Sequence, residues 1–396
     1  MKIQEDMFIP VITSFLTVCF NLVIGSTLII VPLRLKEAGA GIFAITGTLS
    51  VWAVVCAVCA WLVGQILTER NARRLVQTGT ALYFLCFLGL LLVPGVQMQY
   101  FWLLLLGIAT AVYCAPFQVF LKTLENGKQA GLVRASALYS ASWSFGMAVG
   151  PFLFSMLSAG ENGMAWQLAY GINAVLMIPV FFLPVLAEKL MAHSNRTGTT
   201  EPPAPEDDFS NKPDLALWGW LLTVAAFAAV ATTKSLLPEQ GPDAGYSETQ
   251  VSLMVSLIYF SHSFTSFCLV RSRDWMYRAT GVVLSTLCGL AGLLLFVFGF
   301  GNVCCLYAGS ILIGIFSGVV GFCLVFYSLA HPAKAGKYVA VNEITVGATN
   351  TLSPLLIGGG LVWITGWNGM PYLALSVLAV VIALLYLKRM VKIKIS

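Results

Sequence analysis

Only one acid, Glu343, falls well inside a long apolar run of this 396-residue chain. It stands about two helical turns, roughly 9 Å, from Lys337 at the polar edge of that run. His262 lies about as deep in another apolar run, counted back from Val270. An ionisable group held away from water is a place where a protein takes up and releases protons, and burying one is costly enough to mark a pathway. Glu343 and His262 are therefore the candidates for proton coupling, as a pair or as two steps. Neutral polar and aromatic side chains inside the apolar runs supply the rest of a site: Asn21, Gln118, Tyr139, Trp143, Tyr259, Tyr327, Asn342 and Asn350. Tyr139 and Trp143 are spaced i,i+4 and share a helix face. Tyr259 precedes His262 by one turn. Together they describe a mostly apolar, aromatic pocket with a few hydrogen-bonding groups, the usual make-up of a small-molecule site. Packing is the competing role for each of them singly.

These residues need elements that hold them in lipid. Hydrophobic residues make up 58% of the chain and charged residues only 10%, against about a quarter charged in a soluble domain. A soluble fold could not hide that much apolar surface, whereas a bilayer lets the outside stay apolar. A ruler of about 20 apolar residues gives twelve spans. The first six are Phe8–Leu33, Ile42–Leu67, Leu75–Val93, Tyr100–Leu121, Leu132–Leu157 and Met164–Leu186. The second six are Leu215–Leu237, Val251–Val270, Ala279–Phe300, Val303–Ala330, Tyr338–Thr365 and Met370–Leu387. With both termini cytoplasmic, all the basic residues except Arg34, Lys36 and Lys234 fall on the cytoplasmic side, a strong positive-inside bias. A missed span would invert every later loop and destroy the alternation. Lys234, near the outer end of the seventh span, is expected to snorkel to the surface.

The polar stretch around Pro202, Pro203 and Pro205 reads as a flexible linker at 188–213. It separates an N-terminal six-helix bundle (1–187) from a C-terminal one (214–396). The halves echo each other. A basic residue, Arg134 or Lys337, opens the fifth and eleventh spans, and Pro151 or Pro354 follows at the same interval. A parallel repeat of six spans marks one transporter architecture. The fold class expected is an all-α integral membrane protein of two pseudo-symmetric six-helix bundles.

Two motifs then carry a resemblance. Glu69-Arg70-Asn71-Ala72-Arg73-Arg74 matches the later part of the loop G-x-x-x-D-R-x-G-R-R, with Glu for Asp and Ala72 for the second glycine. Gly146-x-x-x-Gly150-Pro151 is similar to an exporter-associated motif, without its trailing glycine pair. On these motifs and the topology, the chain resembles the major facilitator superfamily over essentially its full length, and among its members the proton-coupled small-molecule antiporters. The resemblance implies a cytoplasmic gate at Glu69, Arg70, Arg73 and Arg74, with Asp274 and Arg278 as a second, weaker copy. It also implies that spans eight and eleven face a central cavity. Gly146, Gly150 and Pro151 are expected to act as a hinge or as a packing site.

The expected function is alternating access about a mid-membrane site, as a proton-coupled efflux transporter in a bacterial inner membrane. No P-loop is present to use ATP, and no cofactor is expected. Cys56 and Cys59 form a C-x-x-C without a second ligand pair, so no metal is expected either. Partners are a small-molecule substrate, protons and the lipid bilayer, with no nucleic acid and a monomeric state. No basic cluster lies at mid-depth, which argues against a multiply anionic solute, and a single accessible acid suits a neutral or cationic one. Uptake of a neutral polar solute, such as a sugar or nucleoside, is the alternative. An integral membrane enzyme would need clustered His, Asp or Glu, but the three histidines are scattered.

Overall fold

The computed structural model describes residues 2–68, 70–93, 95–124, 132–160, 164–196, 212–269, 275–330 and 335–395. Among these the chain forms twelve long helical elements. The first six are α1 (Lys2–Glu37), α2 (Ile42–Ile66), α3 (Ala72–Leu92), α4 (Val96–Leu124), α5 (Leu132–Ser158) and α6 (Ala165–Arg196). The second six begin with α7 (Ala216–Asp243), α8 (Glu248–Leu269), α9 (Ala279–Phe298) and α10 (Val303–Leu329). Element α11 is α-helical over Ala335–Leu352, π-helical over Ser353–Gly360 and α-helical again over Leu361–Thr365; α12 is Met370–Ile395. Ten of the twelve are long and apolar enough to cross a membrane, judged on the described residues. The other two are α5 and α11, which carry many of the hydroxyl and amide groups of the molecule.

The expected twelve elements are all present as helices, and several run longer than hydropathy suggested, α6 and α7 among them. Helix α6 runs on to Arg196, into the start of the stretch expected as linker; residues 197–211 of that stretch lie outside the described residues. Helix α7 runs through Pro238 and Pro242 to Asp243. A proline removes one backbone donor, but neighbouring helices hold this segment in place. Three turns join helices through a glycine in the left-handed region: Gly39 (φ 77°), Gly245 (φ 84°) and Gly366 (φ 65°). A side chain there would be strained. All three lie on one face of the molecule, here called the far face; the chain's two ends lie on the other, the terminal face.

The two halves repeat their packing. Helix α2 packs on α4 as α8 packs on α10, and α3 packs on α4 and α6 as α9 packs on α10 and α12. Helices α1, α7 and α10 are largely buried, whereas α6, α9 and α12 turn apolar side chains such as Phe182, Leu284 and Val381 outward. That distribution suits a lipid surround, where the outer surface needs no polar cover. Between the halves, α5 runs against α8 and α2 against α11, with α1 and α2 touching α7.

Within the first half, α1 and α5 approach to backbone contact. A Cβ on Gly150 would lie 2.3 Å from the Leu22 carbonyl oxygen, and one on Gly146 would lie 2.4 Å from that of Val18. Small residues at i,i+4 allow this close crossing, a packing mode that membrane helices favour. Helix α5 continues unbroken through Pro151.

Candidate functional site

At the far face the halves are held shut by polar and aromatic contacts. Lys36, at the end of α1, donates to Asp243 at 2.7 Å and lies 3.9 Å from Glu239, both on α7. Ser158 of α5 and Thr249 of α8 share a hydrogen bond of 3.3 Å. Glu37 of α1 and Glu248 of α8 bring their carboxyl groups within hydrogen-bonding reach. The Phe43 ring of α2 lies 6.3 Å from that of Trp363 on α11, and Ser50 donates to the Thr351 carbonyl at 2.6 Å. Gly359, in the π-helical segment, seats against Thr46 and Phe43: a Cβ there would lie 2.9 Å from Thr46 Oγ1. A π-helical insert rotates the helix beyond it and is frequent at functional sites. Here the π-helical segment itself packs on α2.

Toward the terminal face, Glu343 on α11 is exposed. Its carboxylate lies within electrostatic range of Cys56 of α2 and Cys114 of α4, both in the other half. The second half of α2 is correspondingly open, with Val58, Trp61, Leu62 and Ile66 exposed.

The centre between these faces is aromatic. Trp143 of α5 stacks toward Phe227 of α7 (centroids 6.3 Å, 24° between planes) and meets the edge of Tyr259 of α8 at 5.9 Å. The Tyr259 hydroxyl accepts a hydrogen bond of 3.3 Å from the Lys234 ammonium, which also lies 5.8 Å from the Tyr259 ring. Lys234 is only 4% exposed. Because α7 runs on to Asp243, Lys234 sits nine residues, roughly 14 Å, from that end. This corrects the expectation that it snorkels: it stands at mid-depth, and it was misplaced because hydropathy ended the span at Leu237. His262, buried one turn beyond Tyr259, has both ring nitrogens engaged. Nε2 meets Ser140 Oγ of α5 at 3.2 Å, and Nδ1 meets Ser317 Oγ of α10 at 3.0 Å. Those serines occupy the ring, so the His262–Glu343 pair is not formed. Ser140 also meets Ser266 Oγ at 3.0 Å, and Ser263 donates to the Ala141 carbonyl at 2.9 Å. A ladder of hydroxyls thus stitches α5 to α8.

The remaining sequence-derived residues are placed as follows. Asn342 accepts from Trp220 Nε1 of α7 (2.7 Å) and Ser328 Oγ of α10 (2.8 Å), tying three helices of one half. The Tyr327 hydroxyl donates to the Met276 carbonyl inside the same half. Asn21 and Asn350 donate to carbonyls of their own helices, at Thr17 (2.8 Å) and Val346 (3.0 Å). Asn21 also lies against Gly146. The side chains of Gln118 and Tyr139, and residues Glu69 and Asp274, lie outside the described residues. Arg73 pairs with Glu188 of α6, within its own half. Arg70, Arg74 and Arg278 are exposed on the terminal face. There Tyr338 donates to Asp214 at 2.6 Å. Burial, reinforced by Asp214, pushes the nearby Tyr277 phenol up to about 12, so it stays protonated at neutral pH. Among the described residues, no group of His, Cys, Asp and Glu is placed to hold a metal.

Comparison with known proteins agrees with this architecture. The sequence profile of the Major Facilitator Superfamily matches residues 13–331. Among solved structures, the nucleoside transporter NupG superposes with a TM-score of 0.64 at 12% identity, covering 97% of this chain and 99% of that one. A bacterial homolog of the human lysosomal transporter Spinster, in an inward-facing and unoccupied conformation, gives a TM-score of 0.64 at 12% identity and covers 96% of both chains. No curated protein sequence matches significantly. The chain, a multi-pass membrane protein with the fold of a transporter, belongs to the major facilitator superfamily.

Proposed function

We propose that this protein is a proton-linked secondary transporter that moves a small, moderately apolar organic solute by alternating access. The observation that carries this reading is the build of the far face. Its closure rests on small polar and aromatic contacts between the halves, each of a kind that exchanges readily with water. Exposed or part-exposed ion pairs such as Lys36–Asp243 contribute only about 0–1 kcal/mol, so such a face can open and reclose. The basic residues concentrate on the terminal face, which supports a cytoplasmic position for that face and, with the far face closed, an inward-facing state. The exporter-like Gly146–Pro151 sequence favours efflux. At 12% identity the solved neighbours carry the fold and not the solute.

Glu343 is the proposed proton carrier. It is an exposed carboxylate within electrostatic range of the opposite half, so protonation there changes the electrostatic work of closing the halves over it. Glu343→Gln in inverted membrane vesicles should abolish solute accumulation driven by a pH gradient while sparing solute exchange. Accumulation that persists in the variant contradicts the assignment.

A further inference from the structure

The centre of the molecule holds a charge that the reading above does not use. Lys234 is the one charged side chain among the described buried residues. Its only hydrogen-bond partner there is the neutral Tyr259 hydroxyl. A buried ammonium without a counter-charge costs several kcal/mol, and in membrane segments such a residue marks a ligand or ion path by default. The stretch of α7 that carries it also holds polar groups with no protein partner. Pro238, four residues on, has no N–H, so the Lys234 carbonyl gets no helical hydrogen bond from it. The hydroxyls of Thr232, Thr233 and Ser235 are buried, and each makes no hydrogen bond to a described protein group. Buried polar groups are rarely left so, and all three belong to residues within two positions of Lys234 on α7. On the other side stand the rings of Tyr259, Trp143 and Phe227.

We infer that Lys234 and Tyr259 form an anion subsite that takes the carboxylate of a small monocarboxylic acid, whose apolar body lies along Trp143 and Phe227. This rests on the alternating-access reading and names its solute class. One ammonium with a phenol hydroxyl beside it supplies a point charge and one further donor, which matches a single carboxylate. A phosphate or dicarboxylate would leave a second negative charge without a partner, because no other described buried residue is cationic. A cationic solute would meet the ammonium with repulsion. The expectation of a neutral or cationic solute rested on a single accessible acid, with no basic cluster to hold a multiply anionic one; the buried Lys234 adds a lone cation to that account and selects a singly charged anion. The position also suits a transported ligand. Tyr259 belongs to one half and Trp143 to the other, so a solute held there spans the division that alternating access must open.

The test uses purified full-length protein and three probes of one shape: phenylacetate, phenylacetamide and phenethylamine. Wild type should bind phenylacetate and be thermally stabilised by it, with the amide and amine weaker by about tenfold or more. Lys234→Met should lose that preference, while its own melting temperature is unchanged or higher because an unpaired buried charge has gone. Lys234→Arg should retain it. The probe series on wild type decides even where a variant fails to fold. Binding of the amide or amine as tight as that of the acid, absence of acid binding, or unchanged acid binding in Lys234→Met each overturns the inference. Counterflow of the same probes in proteoliposomes separates the two levels: exchange of the amide but not the acid leaves transport standing and removes the anion subsite.

Discussion

Substituting Gly359 should unlatch the far face. A Cβ there would lie 2.9 Å from Thr46 Oγ1 and 3.3 Å from the Phe43 ring, where ordinary contact begins near 3.4 Å. Thr46 cannot swing aside freely, because its hydroxyl donates to the Ile42 carbonyl at 2.8 Å. Phe43 is held against Trp363. Alanine could be absorbed by a few tenths of an ångström, but Gly359→Leu adds three more carbons to the same gap. Overpacking of this kind costs about 1–3 kcal/mol, and here the cost falls only on the closed state, since α2 and α11 separate when the far face opens. The ratio of open to closed molecules should then rise about 5- to 150-fold. The assay is the rate at which a membrane-impermeant maleimide, applied from the far side, modifies Ser50→Cys in a chain with its native cysteines replaced. Ser50 is buried at the α2–α11 contact, so its modification rate follows the open fraction while that fraction is small. An unchanged rate in a folded Gly359→Leu protein would refute the reasoning.

Other outcomes follow from the same geometry. Gly150→Ala sets a Cβ 2.3 Å from the Leu22 carbonyl and 2.4 Å from the Ser26 nitrogen, both backbone atoms that cannot rotate away. Its melting temperature should fall by the equivalent of about 3 kcal/mol or more, whereas Gly171→Ala, with open space around it, should be neutral or slightly stabilising. Carboxyl groups as close as those of Glu37 and Glu248 need a proton between them to attract. Raising the far-side pH removes that proton, adds like-charge repulsion and should speed Ser50→Cys modification, and Glu248→Gln should flatten the pH dependence. His262→Asn should cost about 1–3 kcal/mol of thermal stability by disturbing the serine contacts while leaving gradient-driven accumulation in place, the reverse of Glu343→Gln.

How much of this was legible in the sequence varies by residue, for physical reasons. The twelve elements were readable because lipid demands long apolar helices and leaves little else possible. The charge alternation fixed their number. The end of α7 was not readable: Pro238, Gln240, Gly241 and Pro242 have loop chemistry, yet tertiary packing carries the helix through them to Asp243. That error of six residues hid Lys234, since depth in a span is counted from its ends. Glu343 stands out by its isolation, and the structure leaves it exposed. Asn342 and Tyr327 looked like site residues because a polar side chain in an apolar run signals need but not direction; only rotation about the helix axis shows that they tie one half together. Trp143 and Tyr259 carried the same signal and do meet at the centre. The π-helical turn at Ser353–Gly360 has no sequence mark beyond Pro354 and three glycines, and neither residue type specifies a π-helix.

Reciprocal motion of the two faces is the property that separates a transporter of this kind from a fixed helical bundle. It can be measured by paired spin labels in nanodiscs, one pair at Ala38 and Ala244 on the far face and another at Arg70 and Arg278 on the terminal face, all exposed positions. Introducing Gly359→Leu should lengthen the far-face distance and shorten the terminal-face distance together, in matching proportions of molecules. Distances that stay fixed on both faces, or that lengthen on both, would contradict alternating access.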